Sequence, residues 1–431
     1  MKAMSLESLI VLLTTTAIGG LLPAVHPAFG QTWTQTSAPS NSWIALASSA
    51  DGAKLVALAS SSRTSGQIYT STNSGVNWTS NGAPNVAWFS IASSADGTKL
   101  AAVTLRGSVY TSQDSGGTWN DVLDVPVNPS DDIPVYPSVA SSADGTKLAA
   151  LILPDCIFIS TNSGSTWITN SPAAFISKSD FGPTNCSLAS SADGSKLAVA
   201  FALGDVAISA DAGMTWSSNG MPVLTHNRTN IELIGHWNGI ASTADGNELV
   251  VVTGLAGSPP ITPIYVSTNA GMTWQTSGAP TNLETSWRAA ALSADGSKIV
   301  AAAGWWNGSG PIYTSADAGL TWVSNRAPVA LWSAVASSAD GSKLVAAVDG
   351  GGIYTFQSTP APQLKIVSSS GEIVLSWIVP SANFTLQQNS DLTTTNWRDA
   401  TNASTTNLST LQDEMMLPAP ATGAFYRLRT P

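Results

Sequence analysis

Six copies of one eight-residue pattern limit what this chain can become. The pattern reads Ser112-Gln113-Asp114-Ser115-Gly116-Gly117-Thr118-Trp119. It returns, with its Ser, Asp or Asn, Gly and Trp in register, at Ser71 to Trp78, Ser160 to Trp167, Ser209 to Trp216, Ser267 to Trp274 and Ser315 to Trp322. A repeat of this kind, with a period of about 50 residues, means that each copy is one supersecondary unit needing its neighbours to bury its apolar faces.

A second element, Ala-Asp-Gly followed by a residue that is polar in all copies but the first and then usually by Lys, occurs at Asp51, Asp96, Asp144, Asp193, Asp245, Asp295 and Asp340, at spacings of 45 to 52 residues. Each copy lies between an Ile-Ala-Ser-Ser type run and a Lys-Leu-Ala-Ala-Val type run. Asp-Gly there predicts a hairpin turn whose Gly takes a positive φ. After a variable loop come an Ile-Tyr-Thr-Ser type strand, the eight-residue box, and a strand led by the box Trp. Four antiparallel strands per repeat predict one blade of a β-propeller.

Seven Ala-Asp-Gly turns stand against six boxes, because the last repeat stops after Ile353-Tyr354-Thr355. Thr32-Trp33-Thr34-Gln35-Thr36, near the other end of the chain, has the form of the missing strand. The expected fold is therefore all-β: a seven-bladed propeller over residues 31–358, closed by its N-terminal strand with Trp33 in the place of a box Trp. Such closure leaves no sheet edge open to aggregation.

A third register supports the repeat. Eight residues before each turn Asp lie Trp43, Trp88, Tyr136, Asn185, Trp237, Trp287 and Trp332, and Asn185 alone breaks the aromatic series. Two readings of this series compete: packing at the start of each innermost strand, or a platform on which sugars stack. Repetition in every blade favours packing. Beyond Ser358-Thr359-Pro360-Ala361-Pro362-Gln363 the period stops, and strand-like runs such as Ile373 to Trp377 and Phe425 to Arg429 predict a small β-sandwich over residues 359–431, of roughly immunoglobulin or fibronectin type.

Lys2, the apolar run from Leu9 to Leu22 and Ala28-Phe29-Gly30 form a secretory signal over residues 1–30, which places the protein outside the cytoplasm, secreted, periplasmic or at the cell surface. No cysteine follows the apolar run, and no later stretch approaches the ~18 apolar residues of a membrane span. Cys156 and Cys186 then enter an oxidising compartment, where a disulfide between them is expected. A formal net charge of −10 excludes a general nucleic-acid binder, which needs clustered Lys and Arg. A soluble monomer is expected.

The pattern Ser-x-Asp-x-Gly-x-Thr-Trp resembles the Asp-box, or BNR repeat. Its families include sialidases, two-propeller xyloglucanases, the sortilin luminal domain and the photosystem II assembly factor of the Ycf48 type. In those families the box is structural, which the resemblance extends to Asn73 and Trp78, Asp114 and Trp119, Asn162 and Trp167, Asp211 and Trp216, Asn269 and Trp274, and Asp317 and Trp322. Asn in half the copies agrees, because it keeps the side-chain acceptor and loses the charge.

Strand direction alternates, so the Ala-Asp-Gly turns and boxes share one end of the ring and the variable loops share the other. Lys54, Lys99, Lys147, Lys196, Lys298 and Lys343 follow the turns, whereas Arg63, Arg106, Arg228, Arg288 and Arg326 fall at the variable end. Arginine suits bidentate contacts to carboxylate or phosphate, so an acidic ligand is one reading and pairing with nearby acids the other. Glu232 and His236 lie in the same loop region as Arg228, and two histidines ten residues apart, His226 and His236, are no metal signature. Trp305-Trp306 depart from the repeat and are the best single binding hint, for a glycan or a protein ligand.

A sialidase needs three arginines converging on the substrate carboxylate with a Tyr/Glu pair, and those enzymes resemble a six-bladed ring. An inverting hydrolase needs two carboxyl groups ~6.5–9.5 Å apart, and Asp124, Asp131, Asp132, Asp155, Asp180, Asp205 and Asp349 are the carboxylates at that end. The expected function is nevertheless non-enzymatic, an exported binding or scaffold protein without cofactor or metal that presents its variable end to a glycan or protein. Glycoside hydrolysis is the alternative.

Overall fold

The computed structural model describes residues 11–12, 32–60, 62–125, 136–152, 156–170, 186–201, 206–219, 236–254, 263–281, 286–305, 308–358, 364–369, 372–379, 384–391, 394, 396–420 and 424–429. Among these residues the protein is all-β, without helix, and its sheets are antiparallel. Arg228, Glu232 and Trp306 lie outside the described residues, and for His236 and Trp305 only the backbone is described.

Each repeat forms a four-stranded meander. In the second, Trp88–Ser93, Leu100–Thr104, Val109–Ser112 and Asn120–Leu123 pair in sequence order. The next four repeats build the same sheet. Second strands such as Leu148–Ile152 and Leu197–Phe201 are buried at every position, as their unbroken apolar sequences require of a strand covered on both faces. Their many alanines let neighbouring sheets approach closely. First strands contact one another in a closed circle, so they line the axis.

The N-terminal strand completes the last sheet. Thr34 and Gln35 pair with Thr355 and Tyr354, and Thr36 N–H donates to the Ile353 carbonyl at 2.8 Å. Trp33 is buried against Phe356 and Trp332, at centroid distances of 5.5 and 6.2 Å. Asp349 and Gly351 further pair with Ser42 and Asn41, joining this sheet to the first.

A circle of backbone hydrogen bonds fixes the turn end of the axis. Ala50 N–H donates to the Ala95 carbonyl, Ala95 to Ala143, Ala143 to Ala192, Ala192 to Ala244, Ala244 to Ala294, Ala294 to Ala339, and Ala339 back to Ala50, all at 2.6–2.9 Å. The alanine of every Ala-Asp-Gly turn thus has its N–H satisfied by the next repeat.

Described residues from 364 onward form two further sheets. Lys365–Ser369, Glu372–Ile378, Gln412–Pro418 and Thr405–Asn407 make one; Thr385–Asn389, Arg398–Asp399 and Phe425–Arg429 make the other. Both contribute to one cluster containing Leu375, Trp377, Leu386, Met415, Tyr426 and Leu428. Val11–Leu12, within the expected signal segment, pairs with Tyr426 and Phe425 at the edge of the second sheet.

The expected disulfide is absent: no bond joins Cys156 and Cys186. Side chains alternate along Cys156–Ser160, and Ile157 and Ile159 face the cluster that contains Cys186. Phe158 packs in the cluster on the opposite face, and Cys156 shares its side of the strand. The two thiols, which belong to neighbouring sheets, therefore lie on opposite faces of the sheet that carries Cys156, which forbids a bridge.

Candidate binding face

The turn end uses its polar groups on itself. In the box at Ser112, the buried Ser112 Oγ donates to Asp114 Oδ1 at 2.8 Å and accepts from Gly116 N–H at 2.9 Å. Asp114 accepts in turn from Thr118 N–H and, through its second oxygen, from Thr118 Oγ1, both at 2.8 Å. Asn162 keeps the first bond, from Thr166 N–H at 2.9 Å, and reverses the second by donating from Nδ2 to Thr166 Oγ1 at 2.8 Å. Trp119, Trp216 and Trp322 donate Nε1–H to the box Gly carbonyl, whereas in the three Asn copies Nε1 of Trp78, Trp167 and Trp274 is buried with no partner among the described residues.

Two consecutive box residues have positive φ. Gly116 takes 92° and Ser115 takes 59°, and the residue before Gly repeats this as Ser74, Ser163, Ala212, Ala270 and Ala318. A small residue at that place in every copy was the sequence signal for it. The strained backbone is held by a clasp: Ser115 N–H donates to the Thr98 carbonyl of the neighbouring turn at 2.8 Å, and the other five boxes do the same.

Hydrogen bonds also set the carboxylates. Asp211 is held down from an ordinary 3.8 to about 2 by the Thr215 hydroxyl and N–H, with help from Ser209. Asp114 and Asp317 shift in the same direction for the same kind of reason, the Thr118 and Thr321 donors leading. Such carboxylates are acceptors fixed in a turn, and none is placed as a general acid.

Between repeats the turn lysines carry the contact. Lys99, Lys147, Lys196, Lys298 and Lys343 donate Nζ–H to the carbonyls of Asp144, Asp193, Asp245, Asp340 and Asp51 of the next turn, at 2.7–3.1 Å. Glu248 stands where the fifth lysine would be and lies over Gly296 of the next turn. Burial raises its pKa, and the charges of Asp245 and Asp295 raise it further.

The aromatic series is core. Trp43, Trp88, Trp237, Trp287 and Trp332 are buried, and each lies edge-on to a tyrosine of its own third strand, Trp43 on Tyr69 at 5.1 Å for example. Trp43 Nε1–H also reaches the Gly351 carbonyl, and Trp332 Nε1–H the Gly310 carbonyl, both at 2.9 Å. Tyr136 is the exception, half-buried and paired with Phe89 at 5.4 Å.

At the variable end Arg63, Arg106, Arg288 and Arg326 are exposed. Arg106 tips a tight turn in which Gly107 N–H donates to the Thr104 carbonyl, and Arg326 itself has a φ of 48°. Arg63 and Arg106 belong to the first and second repeats, whereas Arg288 lies on the first strand of the sixth sheet and Arg326 follows its last. Arg63, Arg106 and Arg326 make no ion pair or hydrogen bond with any described residue.

Arg288 differs from the other three. It follows Trp287 on a first strand, next to the axis, and its stem passes Gly304, the residue before Trp305. Surrounding protein lowers its pKa although its surface is solvent-accessible, and Asp349 opposes that shift. The structure thus brings Arg288 beside the strand Ile299–Trp305, whose hairpin pairs Trp305 with Gly308. Asp124, which accepts from Ser108 Oγ at 3.2 Å, belongs to the second sheet and Asp349 to the last. No group of three or more His, Cys, Asp or Glu side chains that could hold a metal occurs among the described residues.

No known protein family matches the sequence, and no curated protein is similar to it. Solved structures are similar in fold. One described as "YCF48 bound to D1 peptide" aligns with a TM-score of 0.50 at 12% identity, covering 78% of this chain and 99% of the other. YCF48 from Cyanidioschyzon merolae aligns at 0.55 and 13%, covering 75% and 98%. The Myceliophteria thermophila Cps50 (Swd1) β-propeller domain aligns at 0.55 and 14%, covering 76% and 100%. The protein has a β-propeller fold. No helix among the described residues is long and apolar enough to cross a membrane.

Proposed function

We propose that this chain is an exported, non-enzymatic binding or scaffold protein, a seven-bladed propeller of the Asp-box type whose variable end takes a glycan or protein ligand. Residues 1–30 act as its secretion signal, and residues 359–431 form an attached β-sandwich. The observation that carries the reading is the division of labour between the two ends. Turn-end polar groups are spent on clasps within the ring, while Arg63, Arg106 and Arg326 are exposed and Arg288 stands at the axis beside the Trp305 hairpin. Varied loops on a rigid repetitive scaffold are where recognition concentrates. A similar propeller is described as bound to a peptide, which favours a protein ligand over a glycan.

The test is to probe glycan and peptide arrays with the exported chain and with its Arg288→Ala variant. Saturable binding to one class, weakened about tenfold or more by loss of the guanidinium, is expected. Turnover of chromogenic glycosides by the unaltered chain, or binding indifferent to all four arginines, would overturn the reading.

A further inference from the structure

The C-terminal region reaches the axis of the propeller. Strands Thr405–Asn407 and Gln412–Pro418 pair through Asn407 and Gln412, and the turn between them ends at Leu411. Leu411 packs against the alanines of the turn circle: Ala143, Ala192 and Ala244 are buried in that cluster, with Ala95 and Ala294 beside them. These are the residues whose backbone bonds close the circle around the axis.

Backbone conformation gives a second, independent indication. Leu411 has a φ of 52°, the left-handed region, where its Cβ crowds the following carbonyl. A turn optimised for itself would place Gly or Asn there, so a leucine persists only where surrounding structure over-determines it. Leu411 is positioned from behind by Val379, whose N–H donates to its carbonyl at 2.9 Å. The adjoining Thr410 hydroxyl is buried with no partner among the described residues, which also marks a turn pressed against a surface.

We infer that the C-terminal unit is a plug: its 408–411 turn seats Leu411 in the alanine circle, closes the turn end of the axis and leaves the variable end as the route to the axial opening. The occupant of the circle is thus a segment of the same chain, and residues 359–431 dock on the ring as well as following it in sequence. This inference does not depend on the ligand reading.

Leu411→Asn separates the two possibilities, because asparagine relieves the left-handed strain and removes the apolar side chain. In the full chain the plug predicts undocking: a larger radius of gyration by small-angle scattering and about tenfold faster proteolysis within residues 359–363, with the propeller's melting temperature unchanged. A turn that serves only itself predicts the reverse, unchanged scattering and a more stable C-terminal unit, and that result overturns the plug. The second measurement uses Ser409→Cys and Asp193→Cys, exposed neighbours of Leu411 and Ala192, in a Cys156→Ser, Cys186→Ser chain that keeps both packing residues. A short bismaleimide should link them within the monomer, and failure to link while both sites label singly overturns the docking.

Discussion

The two ends of the propeller do different things with the same kind of residue. At the turn end, serine, threonine, aspartate and lysine are tied to one another and to backbone, as in Ser112 to Asp114 to Thr118 or Lys99 to the Asp144 carbonyl. At the variable end, guanidinium groups are exposed, and Arg63, Arg106 and Arg326 form no bond to a described residue. A repetitive fold can hold one end constant only if every repeat solves the same hydrogen-bonding problem in the same way. The other end is free to vary because the meander needs nothing specific from it. Substitutions at the turn end should therefore register as stability, and those at the variable end as binding.

The largest effect is expected where the ring closes. Trp33→Ala removes a buried indole packed on Phe356 and Trp332, and large-to-small changes of this kind cost about 3–5 kcal/mol. Deleting residues 31–37 also strips the bonds to Ile353, Tyr354 and Thr355 and should lower the melting temperature further. A truncated chain that melts like the intact one would break the closure and, with it, the division between the ends.

Next come the box serines. Ser112→Ala leaves Gly116 N–H unsatisfied in a buried place, at a cost of about 1–3 kcal/mol in denaturant melts. Acid tests the same clasp through Asp211. Its folded pKa of about 2 lies below the ordinary 3.8, so its contribution is fully present above pH 3.8 and is lost as pH falls through about 2. Asp211→Asn should flatten that acid limb while leaving neutral stability nearly unchanged, since Asn162 and Asn269 occupy the same slot.

Much of this was readable in the sequence, and what was not has identifiable causes. Repeats placed the strands, the closing segment and the constant end because each feature returned with a fixed period. The aromatic series resolved into core once Trp43 and Trp332 were seen buried and bonding strand carbonyls, a contact no spacing reveals. The disulfide failed because sequence separation carries no information about which face of a sheet a thiol takes. Leu411 left no signal, since its partners lie far away in sequence and its own turn argues for another residue. Only the pairing of its strand with Ile299–Trp305 set Arg288 beside the tryptophan hairpin, which its position in the sequence does not reveal.

Glu248 sharpens the comparison from within the constant end, being the position where the lysine pattern is broken. An ionised carboxylate cannot donate to the Asp295 carbonyl as Lys298 donates to that of Asp340. Glu248→Lys restores the donor and removes repulsion from Asp245 and Asp295, and a gain of about 0.5 kcal/mol is expected for so accessible a pair. The sign with pH is opposite to that of Asp211. A folded pKa raised above the unfolded one favours the folded state below the ordinary 4.5, and the advantage is lost as pH rises through the folded value. The stability gain of Glu248→Lys should therefore be largest at neutral pH and shrink toward pH 4. A gain that does not vary with pH would assign it to something other than this carboxylate.

The smallest stability effect belongs to the variable-end arginines, and its smallness is the point. Arg63→Ala, Arg106→Ala and Arg326→Ala remove exposed side chains without described partners, so each should change unfolding free energy by no more than about 0.5 kcal/mol. Arg326→Gly should raise stability slightly, because glycine accepts the left-handed φ of 48° that arginine occupies at a cost. Binding on the arrays should respond in a different order, with Arg288 foremost because protein already surrounds its charge. An array signal that followed melting temperature across these variants would mean that the variable end recognises nothing of its own. A signal that fell while melting stayed constant would separate recognition from scaffold along the axis of the ring.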